Sequence, residues 1–290
     1  MTILVLGASG QLASHLRQRL PHAVFRGRGD LDLGDTAAIE PAVRALAPAL
    51  IVNAAAYTAV DGAESEREAA WQLNAEAPAA LARAAESLGV PLIHVSTDYV
   101  FDGRAETPYT PEDGTHPINT YGRTKLAGEL AVATLCRRHW ILRASWVFSA
   151  FGSNFVKTML RVGSERDTLQ VVSDQYGRPT YAGDLAAVIE RLAQLPDETD
   201  LDWGTYHAVG GPVVSWCDFA RAIFQQATER GLVTAAPTVN PIPTAEYPTR
   251  AARPLRAVLD PSDELAAATG VTPDWEAGLD QTLDQLARHG

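Results

Sequence analysis

The first half of the chain alternates short, mostly apolar runs with longer segments of helical spacing or composition. Residues 2–6, 23–26, 50–53, 92–96 and 141–143 are too short for helices. They lack the regular polar alternation of a strand with one wet face, so they read as strands buried on both sides. Residues 11–20, 36–46, 69–88 and 121–138 read as helices, the third closed by Gly89-Val90-Pro91. Strands alternating with helices predict an α/β protein, a doubly wound parallel sheet covered on both faces. Beyond residue 150 the alternation loosens. Residues 154–165 and 216–230 read as helices, and proline-punctuated stretches such as 237–243 read as loops. This half reads as a smaller lobe closing over the carboxyl edge of the sheet.

Composition narrows the function classes. A chain of 290 residues with 46% hydrophobic and 20% charged residues can bury a sizeable core and has the balance of a soluble protein. A formal charge of −11 argues against nucleic acid or an anionic membrane as partner. No apolar run approaches the roughly 18 residues of a membrane span, and the start of the chain lacks the features of a secretory signal. Cys136 and Cys217 give neither a disulfide framework nor metal spacing. The expected location is the cytoplasm, with no metal.

Chemistry enters at Gly7-Ala-Ser9-Gly10-Gln11-Leu12-Ala13, directly after the first strand and opening the first helix. Gly7 permits the turn, and Gly10 lets backbone approach a pyrophosphate at the positive helix terminus, so a dinucleotide is expected here. Residues 1–150 then form a dinucleotide-binding domain of Rossmann type, completed by part of 182–205, and residues 151–290 mainly the substrate-binding lobe. After the second strand, Arg26-Gly-Arg28-Gly-Asp30 offers cations that favour the 2′-phosphate of NADPH, with NADH tolerated. Ala54-Ala55-Ala56 ends the third strand with small residues that leave room for a ring or sugar.

The second chemical signal is Tyr121-Gly-Arg-Thr-Lys125, which contains one of two lysines among 24 basic residues. Positions i and i+4 share a helix face, and a nearby ammonium favours the phenolate, suiting tyrosine to proton transfer. Arginine would not replace a compact ammonium there. Ser96 and Thr97 both offer a hydroxyl at the carboxyl end of the preceding strand, positioned to hydrogen-bond a carbonyl oxygen, and the pattern alone does not choose between them.

Hydroxyl, tyrosine and lysine downstream of an N-terminal glycine loop resemble the short-chain dehydrogenase/reductase superfamily in its extended form. More narrowly, the chain resembles the dTDP-4-dehydrorhamnose reductase family nearly end to end, through residues 7–12, 53–61, 96–101, 121–128, 143–148, 154–160, 174–180, 247–249, 253–254 and 273–275. The resemblance implies NADPH-dependent reduction of the sugar C4 keto group, with Tyr121 delivering the proton. It implies that Lys125 holds the nicotinamide ribose and that Thr97, rather than Ser96, supplies the hydroxyl. Asp32 and Leu33 match adenine contacts, and Tyr57 belongs with Ala54, Ala55 and Ala56 in the cofactor wall. Val60, Thr97, Asp98, Tyr99 and Trp146 match positions lining the sugar pocket. Arg178 and Arg253 are expected at the substrate diphosphate, because an anionic ligand in an acidic protein needs local cations. The expected assembly is a monomer or homodimer.

Three departures stand out. Arg253-Pro-Leu-Arg256-Ala257 replaces the family's Arg-Pro-x-Asn-Ser, which bears on nucleotide or sugar preference. His15 stands where some relatives carry a glutamate linked to a magnesium-bridged dimer, and Ala13 replaces the third glycine of the loop. Two other readings share the fold: a nucleotide-sugar epimerase or dehydratase that recycles bound NAD⁺, and a non-catalytic dinucleotide-binding regulatory subunit. The first predicts no net NADPH consumption, and no glutamate follows Thr97 as dehydration would favour. The second sits poorly with a complete Thr97, Tyr121 and Lys125 set.

Overall fold

The computed structural model describes residues 2–196 and 199–289. Six strands form one parallel sheet in the order Gly204–His207, His139–Ala144, Leu92–Thr97, Leu50–Asn53, Ile3–Leu6, Val24–Arg26. Leu4, Val5, Leu6, Ile51 and Val52 are buried on both faces, which is why these segments read as unbroken apolar runs. One face packs on Leu12 and Leu16 of helix Gln11–Arg19 and on Leu185 and Ile189 of helix Ala182–Leu192. The other packs on Ile39 and Val43 of helix Thr36–Leu46 and on Leu81 and Ala84 of helix Ala77–Leu88. The order reverses around Ile3–Leu6: helix Gln11–Arg19 leaves to one face and helix Ala77–Leu88 to the other, which leaves a crevice beyond the carboxyl ends of the strands.

Several elements differ from the sequence expectation for identifiable reasons. Residues 69–88 are not one α-helix. Arg67–Trp71 runs through a π turn, Gln72–Glu76, into Ala77–Leu88. Pro78 has no N–H to close a bond to the carbonyl of Asn74, so the ladder widens, and Ala77 N–H bonds Gln72 O instead. The helix that carries Tyr121 and Lys125 is Thr120–Leu135, capped by the Asn119 side chain on Gly122 N. It stops before residue 138 because His139 and Trp140 already pair with Leu92 and Ile93 in a strand longer than 141–143.

The largest correction falls on residues 237–243. Thr238–Ile242 is a strand, parallel to Thr168–Val172, rather than a loop. Thr238 N bonds Asp167 O and Ile242 O accepts from Ser173 N, so alternate residues face the partner and Pro241 turns its missing donor to the open edge. This pair closes a second core with Phe148, Phe219, Phe224, Trp275 and Leu279.

Inside the first lobe, Arg143 meets Glu129 through Nε and Nη2 at 2.8 to 3.2 Å, tying the sheet to helix Thr120–Leu135. Both side chains are buried. Removing one partner strands the other charge, so Glu129→Ala is expected to cost about 3–5 kcal/mol in chemical unfolding. Adding Arg143→Leu to that variant should recover part of the loss.

Candidate active site

A cleft of about 820 Å³ runs along the carboxyl ends of the strands. At one end Gly7 takes φ +98°, and a Cβ there would lie 3.2 Å from the backbone of Ala54 and Ala55. The turn is therefore bare where the third strand crosses it. Gly10 caps helix Gln11–Arg19 with no side chain on its first N–H groups, which leaves them to an anion. Ser9, Gln11 and Leu12 line this end, with Ala54, Ala55 and Ala56 forming the floor. Gln11 also donates to Val147 O at 3.2 Å and accepts from Asn154 at 2.9 Å, joining the two lobes over the glycine turn. Arg28, Asp32 and Leu33 line the outer rim, with Arg26 beside them. Arg28 is exposed and makes no ion pair among the described residues.

At the other end stand Thr97, Asp98, Tyr99, Tyr121, Lys125, Val60 and Trp146. The Thr97 hydroxyl donates to Asp98 Oδ1 at 3.0 Å and accepts from Tyr99 N at 3.3 Å. The Tyr121 phenol stands beside it at the same end of the cleft. Ser96 Oγ, one residue earlier, is buried without a partner. Burial raises the Tyr121 pKa to about 12; Thr97 pulls it down and Asp98 pushes it further up. Asp98 is itself pushed up to about 7 by burial, against hydrogen bonds from Thr97 and Tyr99.

Lys125 departs from the sequence expectation. Its Nζ donates to Val95 O at 2.7 Å and lies 3.5 Å from His94 Nε2, and it is not among the groups that shift Tyr121. Burial lowers its own pKa to about 8. The shared helix face holds, but the ammonium points down to the strand rather than across to the phenol. His94 is fixed from its far side by Asn53 Nδ2 at 3.0 Å from Nδ1.

Three expected site residues stand outside the cleft lining. Tyr57 is held by its backbone, with Asn74 Oδ1 accepting from its N at 2.8 Å and Asn74 Nδ2 donating to its O at 3.0 Å, and its ring packs in the cluster of Tyr121 and Tyr99. Arg178 donates to Leu259 O at 3.0 Å and to Gly211 O, so its guanidinium pins two loops. Arg253 pairs with Asp61 at 2.7 Å.

Trp146 is not in a strand; it lies between His139–Ala144 and Val147–Phe148 with φ +49°. A bulky residue in the left-handed region is strained and needs its surroundings to hold it. Trp216 does so, stacked on it at 3.5 Å between centroids and 8° between planes, with Gly177 under the indole. Trp216 also lines the cleft, and nothing in the local sequence marked it. His15 lies between the rings of Phe151 and Tyr181 with Nε2 unpaired.

A crevice at the reversal of a parallel sheet, with a bare glycine turn at one end and threonine, tyrosine and lysine at the other, defines an extended short-chain dehydrogenase/reductase. Comparison with known proteins narrows this. The model of the RmlD substrate binding domain matches residues 1–288. A dTDP-4-dehydrorhamnose reductase of Sinorhizobium fredii is 44% identical over 297 residues, covering 100% of this chain and 99% of the relative. The crystal structure of a dTDP-4-dehydrorhamnose reductase from Clostridium acetobutylicum superposes with TM-score 0.90 at 36% identity, covering 99% of each chain. One from Bacillus anthracis, in complex with NADP, superposes with TM-score 0.88 at 34% identity, covering 98% of this chain and 99% of that one. The chain belongs to the dTDP-4-dehydrorhamnose reductase family.

The glycine turn carries a structural prediction. Gly7→Ala forces a Cβ into a left-handed turn against Ala54 and should cost about 1–3 kcal/mol, read as a lower urea midpoint at unchanged m-value.

Proposed function

We propose that this chain reduces the C4 keto group of dTDP-4-dehydro-β-L-rhamnose to give dTDP-L-rhamnose, with NADPH as reductant. The observation that carries the reading is the Thr97 and Tyr121 hydroxyls together at one end of a dinucleotide-sized cleft, in a chain matched along its length by reductases of that name. The cofactor fits what the protein offers. The glycine turn has no Cβ to block a pyrophosphate, the first amides of helix Gln11–Arg19 carry no side-chain cap, and Arg28 at the rim makes no ion pair among the described residues. Bound there, NADPH supplies the hydride for the keto carbon.

The protein's own residues do the rest. Ser9, Gly10, Gln11 and Leu12 seat the pyrophosphate on the helix terminus, and Arg28 meets the 2′-phosphate. Asp32 and Leu33 flank the adenine, and the alanines 54–56 leave space for the ring system. Tyr121 gives its phenolic proton to the carbonyl oxygen as negative charge grows there, and Thr97 orients that oxygen. A phenol held protonated by burial is an acid that stays loaded until the substrate oxygen becomes basic. Lys125 leaves Val95 O to hold the ribose, so its anchoring role belongs to the cofactor-bound protein. Val60, Tyr99 and Trp146 form the apolar wall against the pyranose, with Trp216 behind Trp146.

Incubating the protein with that sugar nucleotide and NADPH should consume reduced nicotinamide in proportion to product. Tight bound cofactor with no net consumption would indicate an epimerase instead. Tyr121→Phe should lower kcat by roughly 10²–10⁴-fold while the Kd for NADPH, read by fluorescence titration, stays nearly unchanged. Full activity in that variant would overturn the assignment.

Lys125 gives a pH prediction. Its ammonium is present below its lowered pKa and lost as pH rises through about 8. NADPH affinity should therefore weaken above that pH, and Lys125→Met should bind more weakly below it and show no such limb.

A further inference from the structure

A buried polar chain runs from the alanine floor of the cleft to the lysine at its other end. Ala55 N, on that floor, donates to Asn53 Oδ1 at 3.3 Å. This contact fixes which way the Asn53 amide points, so its Nδ2 is the atom 3.0 Å from His94 Nδ1. An amide nitrogen only donates, and His94 Nδ1 must therefore accept. A neutral imidazole that accepts at Nδ1 carries its proton on Nε2. His94 is wholly buried and stays neutral, because burial and the Lys125 charge both push its pKa well below the usual value.

That proton faces the lysine, since Lys125 Nζ lies 3.5 Å from Nε2. A donor gives an ammonium nothing to bond. Of the three hydrogens on an ammonium, one goes to Val95 O at 2.7 Å, and no second acceptor bonds Nζ among the described residues. Lys125 is 1% exposed and part of the cleft lining. A buried ammonium with one anchor is loosely parked.

We infer that His94 is the positioning residue of Lys125: held by Asn53 with its proton on Nε2, it denies the ammonium a second anchor on the sheet and leaves it free to turn to the cofactor ribose. The inference rests on the reading of Lys125 as the ribose anchor. With the other tautomer, Nε2 would accept a charge-assisted bond, and two acceptors on one strand would compete with the cofactor. The neighbouring groups leave this balance to His94. Glu129, one turn along the helix, favours the ammonium, but its carboxylate is taken by Arg143. Tyr121, one turn back, is not among the groups that shift Lys125. His139 acts on His94 in the same direction as Lys125, and its own Nδ1 is engaged by Cys136 O.

Asn53→Asp reverses the tautomer by exchanging one amide nitrogen for oxygen. The carboxylate accepts from Nδ1, so Nε2 becomes an acceptor and the parked ammonium gains a second bond. The Kd for NADPH near neutral pH, read by fluorescence titration, should rise about tenfold. The alkaline limb of NADPH affinity, near pH 8 in the parent, should move up by about one unit, because a better-held ammonium loses its proton later. The double variant Asn53→Asp/His94→Phe removes the new acceptor but keeps the carboxylate, and should restore most of the affinity. An effect of the added charge alone would survive in it. Nitrogen-15 NMR of the cofactor-free parent reads the tautomer without any variant, and His94 should carry its proton on Nε2 across neutral pH.

A proton on Nδ1 in the parent would overturn the inference, and this readout stands even where Asn53→Asp does not fold. An Asn53→Asp protein whose NADPH affinity or alkaline limb matches the parent would also overturn it, as would a loss that His94→Phe does not restore. If Lys125→Met binds NADPH as tightly as the parent, the ribose-anchor reading falls and the role of His94 with it. A weakened Lys125→Met beside an unshifted Asn53→Asp removes the role of His94 alone.

Discussion

The depth at which helix Thr120–Leu135 is seated governs the rest of the site. Two glycines let it in, since a side chain at Gly122 would meet the carbonyl of Tyr99 and one at Gly128 the carbonyl of Asn74. Polar contacts then fix its height. Glu64 accepts from both Thr120 N and Thr120 Oγ1 at 2.8 Å, Asn74 Nδ2 donates to Thr124 Oγ1 at 3.1 Å, and Glu129 holds Arg143 on the sheet. Seated this low, the helix places Tyr121 at the level of Thr97, and the Lys125 ammonium lies within reach of a strand carbonyl. The π turn belongs to the same constraint. Widened because Pro78 cannot donate, it presents the Asn74 carbonyl to Gly128 and the Asn74 amide to Thr124 and to the chain that carries Tyr57.

Burial is the second theme, because it shifts each titratable group at this end of the cleft. It raises the Tyr121 phenol to about 12 and the Asp98 carboxyl to about 7, and lowers the Lys125 ammonium to about 8. None of these shifts requires an unusual residue. They follow from the removal of water around ordinary side chains, whose partners are hydroxyls and carbonyls rather than opposite charges. The two buried carboxylates of this lobe show how much the partner matters. Glu129, opposite a guanidinium, serves as a strut, whereas Asp98 has only the Thr97 hydroxyl as a side-chain partner among the described residues, and its burial raises its pKa.

The second lobe reaches the cleft through its aromatic residues. Trp146 turns out of the sheet in a left-handed conformation and is clasped between Trp216 and Gly177. Its strain is held by a helix that begins seventy residues later, so this side of the cleft exists only when the two lobes are assembled. Arg178 serves the same assembly, since it ties the loops at Gly211 and Leu259. In a sequence it reads as a spare cation for a diphosphate. Its Nε and Nη1 are engaged by two loop carbonyls.

The sequence by itself determined the sheet, the glycine turn and the helix that carries Tyr121 and Lys125 on one face. Apolar runs, helical periods and the strand–glycine–helix junction are local, and local physics fixes them. Some elements were misread where a local rule had a tertiary exception. Pro241 looked like a loop residue because its open edge becomes visible only once Thr168–Val172 pairs beside it, and residues 69–88 looked like one helix because Pro78 acts on a carbonyl a turn away. The direction of the Lys125 ammonium, the stacking of Trp216 and the missing cation beside Asp98 depend on residues far apart in the chain. Only the tertiary structure decided these, because desolvation and hydrogen-bond partnership are properties of a place in space, and a sequence records only order.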